Sequence, residues 1–286
     1  MTPDISFPNM GIELFSVNRV AISIFGLNLY WYALFIIAGI LAGYATAVIE
    51  AKRSGQKPDD YSDLLFFSVI AAIIGLRLFF VAFNWEHYRH DPLRIITGIR
   101  EGGLAIYGGI ISSVITVYVF SRVRKLNMWT IFDTCAPSFA IGQAIGRWGN
   151  FFNREAFGGF TDNLFAMRIV RDQTRMPLPA DILDNTIIYQ GIEYIQVHPT
   201  FLYESLWSLG VFILLTLYRP HKKFNGEILC LYFLSYGFAR FFIESLRVDQ
   251  LMMGAIPVSQ LMSALIFVVA VVAIALQRRQ SLLNAK

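Results

Sequence analysis

The stretch Gly146-Arg147-Trp148-Gly149-Asn150-Phe151-Phe152-Asn153-Arg154-Glu155-Ala156-Phe157-Gly158 closes a long apolar segment that begins near Trp129. Two arginines, two asparagines and a glutamate stand here between aromatics and glycines. Hydrocarbon penalises such groups: one Arg at a membrane-helix centre costs roughly 2.5–3.5 kcal/mol on insertion scales. Polar side chains at a membrane boundary therefore need a reason. A helix end whose cations snorkel to the interface is one, and it suits Arg154 taken alone. The run as a whole reads better as a ligand site. Glycines flanking Arg147 let backbone come close to a ligand, and Asn and Glu can orient the guanidinium.

Composition supports the membrane setting. The 286 residues are 56% hydrophobic and only 15% charged, with a mean hydropathy of +0.53. Soluble domains carry about 25% charged residues. Cys135 and Cys230 both lie inside apolar segments, so they form no disulfide framework and no metal spacing. The four histidines, His87, His90, His198 and His221, are dispersed, and no metal site is expected. The first residues lack a basic region followed by a short apolar run and a small-residue cleavage site, so no cleaved signal peptide is expected. A net charge of +4 and a pI near 9.1 fit membrane topology and anionic headgroups. No aromatic–basic pattern of an RNA-binding module is present, and no nucleic-acid partner is expected.

Outward from the opening stretch, the chain predicts an all-α polytopic membrane protein with about seven transmembrane helices and a small extracytoplasmic subdomain. The spans are expected at roughly Leu29–Ile49, Asp63–Phe83, Leu104–Phe120, Trp129–Trp148, Thr200–Tyr218, Glu227–Leu246 and Pro257–Leu276. Each approaches the 20 or so residues that a bilayer core requires. Tyr30-Trp31-Tyr32 opens the first as an interfacial aromatic belt. Residues 1–20 read as an interfacial lead-in. Residues 160–197 are polar, with short strand-like pieces at Phe165–Val170 and Thr186–Tyr189. They read as a subdomain inserted into one membrane-embedded domain that covers 1–286.

The loops after spans one, three, five and seven hold all six lysines and six of the arginines. The positive-inside rule makes those loops cytoplasmic. The N-terminus and 160–197 are then outside and the C-terminus is cytoplasmic. Arg89, Arg94 and Arg100 in an outer loop weaken this count, but the alternation of seven spans preserves it.

Four polar constellations meet the outer end of the bundle. They are the opening run, with Arg147, Asn150, Asn153 and Glu155; Arg240 with Glu244 and Arg247; His198-Pro199-Thr200-Phe201-Leu202-Tyr203-Glu204; and Glu101-Gly102-Gly103-Leu104-Ala105-Ile106-Tyr107-Gly108-Gly109. Tyr32 joins them at similar depth. Arg147 and Arg240 can clamp a lipid phosphate by charge-assisted bonds, with Glu155 and Glu244 holding them beforehand. Bland readings exist for each. Arg240 and Glu244, four apart on one helix face, can simply neutralise each other. Arg77 in span two can pair with a carbonyl or with Asp133. The glycine pairs can pack helices closely or unwind the start of span three along a cavity. Asp63 and Asp133 read as boundary residues.

These segments resemble, in order and along the whole chain, the bacterial phosphatidylglycerol–prolipoprotein diacylglyceryl transferase family. The opening run matches every fixed position of the family pattern Gly-Arg-x-Gly-Asn-Phe-x-Asn-x-Glu-x-x-Gly. The other matching elements are the Tyr-Trp-Tyr opening of span one, Gly75-Leu76-Arg77-Leu78-Phe79-Phe80, the Glu-Gly-Gly segment, His-Pro-Thr-x-Leu-Tyr-Glu, and Tyr236-Gly237-x-x-Arg240-x-x-x-Glu244-x-x-Arg247. Many members carry a His where this chain has Tyr107, and a phenol is a weak proton acceptor at neutral pH. The resemblance implies transfer of the diacylglyceryl group of phosphatidylglycerol to the lipobox cysteine of a prolipoprotein signal peptide, in the bacterial inner membrane. Glycerol-1-phosphate leaves and a thioether forms. The thiolate belongs to the partner. Arg147 and Arg240 would stabilise charge on the leaving phosphate. Glu204, Tyr107 or His198 would accept the thiol proton. Asn150, Asn153, Glu155, Tyr32, Glu244 and Arg247 would help to bind the lipid, and no metal or organic cofactor is demanded. Rival readings are a transporter, which intramembrane arginines also suit but which the lack of a symmetric repeat disfavours; another lipid-headgroup enzyme; and a non-catalytic lipoprotein-binding scaffold.

Overall fold

Long apolar runs become helices here, and polar punctuation ends them. The structure, a computed structural model, describes residues 2–98, 102–254 and 256–284. Arg100 and Glu101 therefore lie outside the described residues. In chain order the elements are β1 (Ile5–Phe7), β2 (Ile12–Leu14), β3 (Val20–Ile24), β4 (Leu27–Tyr30), α1 (Trp31–Arg53), α2 (Pro58–Phe83), α3 (Trp85–Tyr88), α4 (Arg94–Thr97), α5 (Ile106–Val123), α6 (Met128–Asn153), β5 (Met167–Val170), α7 (Ala180–Leu183), β6 (Ile187–Tyr189), β7 (Ile192–Val197), α8 (Thr200–Tyr218), α9 (Glu227–Leu246), β8 (Met252–Met253), β9 (Ile256–Pro257) and α10 (Val258–Asn284). Pro58 opens α2, with Asp59 and Asp60 in its first turn, where the helix dipole favours acids. Asn127 caps α6 by accepting from the Trp129 and Thr130 amides at 2.9 and 3.2 Å.

Among the described residues, six helices (α1, α2, α5, α8, α9 and α10) are long and apolar enough to cross a membrane. The chain is a mostly helical, multi-pass membrane protein. The fourth expected span, Trp129–Trp148, coincides with α6, which is not one of these six. This helix is 26 residues long, but Asp133, Gln143, Arg147, Asn150 and Asn153 lower its hydropathy. The first span starts two residues later than expected, because Leu29 and Tyr30 belong to a strand.

The chain forms two compact units, Met1–Gly43 with Cys135–Lys286, and Tyr44–Thr134. In the first, an antiparallel sheet of order β2-β1-β5-β7-β6 covers helix ends. The expected strands at 165–170 and 186–189 are β5 and β6. The N-terminal lead-in is a correction: Ile5 pairs with Ile169 and Ile169 with Ile195, so the first residues join the same sheet as 160–197. Three-residue strands are too short to show a period of two. Ile5, Ile169, Ile195 and Val197 are fully buried and share a core with the buried Phe151 of α6 and Phe201 of α8. That shared core fixes the ends of α6 and α8, which carry the site. Below it, a Cβ on Gly237 of α9 would fall 2.7 Å from the Ser263 carbonyl of α10, so only glycine permits this approach.

In the second unit, α2 crosses α5 where a Cβ on Gly108 would overlap the Gly75 carbonyl. Gly108 thus follows the close-packing reading. Gly108→Ala is expected to destabilise the protein by about 1–3 kcal/mol, the usual cost of overpacking, seen as a lower thermal midpoint in detergent; an unchanged midpoint would mean that this contact can yield. Gly102 and Gly103 follow the unwound reading, with φ of 101° and 74°. Arg77, only 5% exposed, donates to the carbonyls of Ile95, Arg94, Gly102 and Gly103 at 2.7–3.1 Å, and its guanidinium lies over the Tyr88 ring. Its partners are carbonyls, as one of its structural readings expects.

Candidate active site

The opening stretch is the C-terminal end of α6 and the reversal that follows. The Arg154 amide donates to the Phe151 carbonyl and the Glu155 amide to the Asn150 carbonyl, at 3.0 and 3.2 Å. This is a Schellman end whose left-handed residue is Arg154, at φ 54°. Glycine usually fills that position, so an arginine there is strained. Its side chain does not snorkel. It is 6% exposed and donates to the Val17 carbonyl at 2.5 Å. The reversal aims Glu155 back at the helix, where the side-chain amides of Asn150 and Asn153 donate to one of its oxygens at 3.0 and 3.1 Å. Glu155 is thus not the partner of Arg147, as the sequence reading has it; the chain reversal spends it on the two asparagines.

The partner of Arg147 is Glu204, one turn into α8. Arg147 Nη2 lies 2.5 Å from Glu204 Oε2 and Arg240 Nη1 lies 3.2 Å from Glu204 Oε1, with Arg247 Nη1 at 3.8 Å. One carboxylate, 9% exposed, therefore gathers three guanidinium groups. Arg240 Nη2 also lies 2.6 Å from Glu244 Oε2, too poorly aligned for a hydrogen bond, so that oxygen is buried beside a cation with no donor. The self-neutralising reading of Arg240 and Glu244 is incomplete, because Arg240 reaches across to α8. Arg247 is held by both oxygens of Asp249, at 2.9 and 2.6 Å. Three cations face three carboxylates, which is how buried charges are tolerated.

A small recess opens beside this network. Arg147, Glu204 and Arg240 line it together with Gln143, Trp207 and Tyr236, and Ala140 and Val211 make an apolar side. Tyr32 of α1 packs against α6 at Gly149, where an added Cβ would fall 2.9 Å from its ring, which explains the glycine. Close packing also ties Gly158 to the site: its amide donates to the His198 carbonyl, and the Gly159 amide to the Leu246 carbonyl, both at 2.9 Å. His198 lies between β7 and α8. Burial pushes its imidazole below the ordinary histidine range, so it is neutral near pH 7. Its Nδ1 lies 3.3 Å from the Tyr203 hydroxyl and 3.4 Å from the Asn163 amide. Tyr107 belongs to the second unit, where it is 53% exposed with its ring against Phe79.

Arg147, Glu204, Arg240, Glu244, Arg247 and Tyr32 thus meet or adjoin in one unit, while Asn150, Asn153 and Glu155 form a bonded group beside them. Sequence reading missed Gln143 and Trp207 because each looks like an ordinary helix residue until the recess is formed. Asp249 had a signal, a carboxylate two residues after Arg247.

Comparison with known proteins identifies the family. Residues 19–276 match the family model described as prolipoprotein diacylglyceryl transferase. A protein of Enterococcus faecalis named phosphatidylglycerol–prolipoprotein diacylglyceryl transferase is 43% identical over 269 residues, which is 93% of this chain and 92% of the relative. Proteins of the same name from Bacillus cytotoxicus and Finegoldia magna are each 41% identical, covering 92% and 90% of this chain and 93% and 94% of their own lengths. The chain belongs to the prolipoprotein diacylglyceryl transferase family.

Proposed function

We propose that this protein transfers the diacylglyceryl group of phosphatidylglycerol to the lipobox cysteine thiol of prolipoproteins, the first step of bacterial lipoprotein maturation. The observation that carries this reading is the convergence of Arg147 and Arg240 on one carboxylate at the recess. The sulfur attacks the glyceryl carbon bonded to the phosphate oxygen. A C–S bond forms, the C–O bond breaks, and its electron pair leaves on glycerol-1-phosphate. Before substrate arrives, Glu204 occupies the guanidinium groups. A phosphodiester takes its place on Arg147 and Arg240, which then stabilise the charge gathering on the leaving group. Glu204, released from them, accepts the thiol proton. Neutral His198 is a second acceptor. Asn150, Asn153, Glu155 and Tyr32 shape the wall beside Arg147, and Glu244 and Arg247 hold Arg240 and Glu204 in register.

The same reading gives seven spans. β1 and β5 are paired, so they lie on one side of the bilayer and an even number of crossings separates them. The apolar helices α1, α2 and α5 supply three, which supports α6 as the fourth. After the sheet, α8, α9 and α10 carry the C-terminus to the opposite side. Lys52, Arg53, Arg122, Arg124 and Lys125, which follow the first and third spans, support a cytoplasmic location for those loops. The sheet and the N-terminus are then outside the inner membrane.

Purified protein in detergent, with phosphatidylglycerol and a labelled lipobox peptide, tests the reaction. Glycerol phosphate release coupled to a peptide heavier by one diacylglyceryl group is the expected result. No release across lipids and thiol peptides would move the reading to transport. Tyr107→Phe in the same assay is expected to lower the rate by no more than about tenfold, the worth of one hydrogen bond. A loss as deep as that of Glu204→Gln would make the phenol the proton acceptor instead.

A further inference from the structure

From Val20 to Ile49 no side chain is charged, yet helix begins only at Trp31. The residues before it form the β3–β4 hairpin, with Ile22 opposite Leu29, Ser23 opposite Asn28 and Ile24 opposite Leu27. Side chains alternate along strands, so Ile22, Ile24, Leu27 and Leu29 share one face and Ser23 and Asn28 the other. The apolar face is open: these four are 50, 54, 75 and 36% exposed. Phe25 and Gly26 make the turn with φ of 50° and 79°, and Phe25 is 100% exposed. Asn or Gly suits both turn positions best. A bulky aromatic held at positive φ on a bare tip is costly on both counts. Such a ribbon is marginal in water on its own and an aggregation hazard if left bare.

The hairpin's foot is fixed to a membrane helix. β4 runs into α1 with no linker, and the Trp31 amide donates to the Arg19 carbonyl at 3.0 Å. The open apolar face is continuous in sequence with the exposed side of α1, where Ile36, Ile37, Ile40 and Leu41 are 40–58% exposed. Arg19, whose guanidinium lies 5.6 Å from the Tyr30 ring centre, is the last charge before Glu50. A two-stranded ribbon has open edges and cannot sit in hydrocarbon. It can lie at the interface, as amphipathic helices do.

We propose that the β3–β4 hairpin is a membrane-surface element: its Ile22, Ile24, Leu27 and Leu29 face and its Phe25 tip rest in the acyl boundary of the leaflet where α1 begins, with Ser23 and Asn28 toward water. Arg19 at its foot meets headgroup phosphates. The partner is the lipid surface. The competing occupant, a peptide, is an outcome of the test.

The test uses the full chain with Cys135→Ala and Cys230→Ala, in nanodiscs of phosphatidylethanolamine and phosphatidylglycerol. A nitroxide is attached in turn at positions 22, 23, 24, 25, 27 and 28. Collisions with oxygen, which partitions into lipid, are compared with those of a water-soluble nickel chelate. The oxygen-to-nickel ratio is expected to be several-fold higher at 22, 24, 25 and 27 than at 23 and 28. Equal access of nickel to all six positions would overturn the proposal. So would lipid-like values at all six, or water exposure at 24 and 25 that is lost only when a lipobox peptide is added.

Discussion

Arg147→Ala is expected to lower diacylglyceryl transfer by about two to three orders of magnitude or more, the range for removing one preorganised group that stabilises a leaving charge. Four features set this expectation. Arg147 lies 2.5 Å from Glu204, lines the recess, stands a full turn and a half before the helix end, and retains 24% side-chain exposure, so it can turn toward a ligand. The protein should still reach the membrane and keep its thermal midpoint in detergent to within a few degrees, since Glu204 keeps Arg240. Arg147→Lys separates charge from shape. An ammonium keeps the charge and loses the planar fork that matches a phosphate, so its rate should fall between the two. If Arg147→Ala merely lowers expression and the purified remainder turns over normally, Arg147 is structural.

Glu204→Gln is the second large effect, and its signature is a split. Glutamine fills the same space without the charge. With nothing anionic left to compete for Arg147 and Arg240, the KM for phosphatidylglycerol should stay level or fall. The loss of a positioned proton acceptor should lower kcat by about 10²–10⁴-fold. Glu204→Ala should also destabilise the fold, because breaking a buried ion network by removing one partner costs about 3–5 kcal/mol. A kcat preserved in Glu204→Gln, with destabilisation alone, would leave the carboxylate as a structural counter-ion and turn attention to His198.

The helices and the outline of the site were readable from the chain because each has a strong local signal. Apolar runs near 20 residues, basic loops and arginines set in hydrocarbon stand out without any partner being known. What stayed hidden depends on pairs brought together by folding. Arg147 and Glu204 are on different helices, so nearest-neighbour reading gave Arg147 the closer Glu155. The left-handed Arg154 diverts Glu155 to Asn150 and Asn153, and an arginine at a position that favours glycine gives no warning of a reversal. β1 was missed because three residues cannot display alternation, and its partner lies far along the chain. The end of the apolar hairpin, Leu29 and Tyr30, was taken as the start of the first span because a ribbon and a helix end look alike when both lack charge. The two glycine pairs were ambiguous for a different reason: positive φ and close packing both select glycine, and only the crossing of α2 with α5 tells them apart.

Pairing of the first strand with one made much later has a consequence for biogenesis. Ile5 leaves the ribosome well before Ile169 exists, an interval of roughly ten to thirty seconds at usual synthesis rates. During it, the first strand waits with its edge unpaired while α1, α2, α5 and α6 are made. Only when β5 and β7 arrive can the sheet close over Phe151 and Phe201 and pin α6 and α8 together. Closure of this late-formed sheet therefore fixes α6 against α8, and α9, made later still, then brings Arg240 to Glu204.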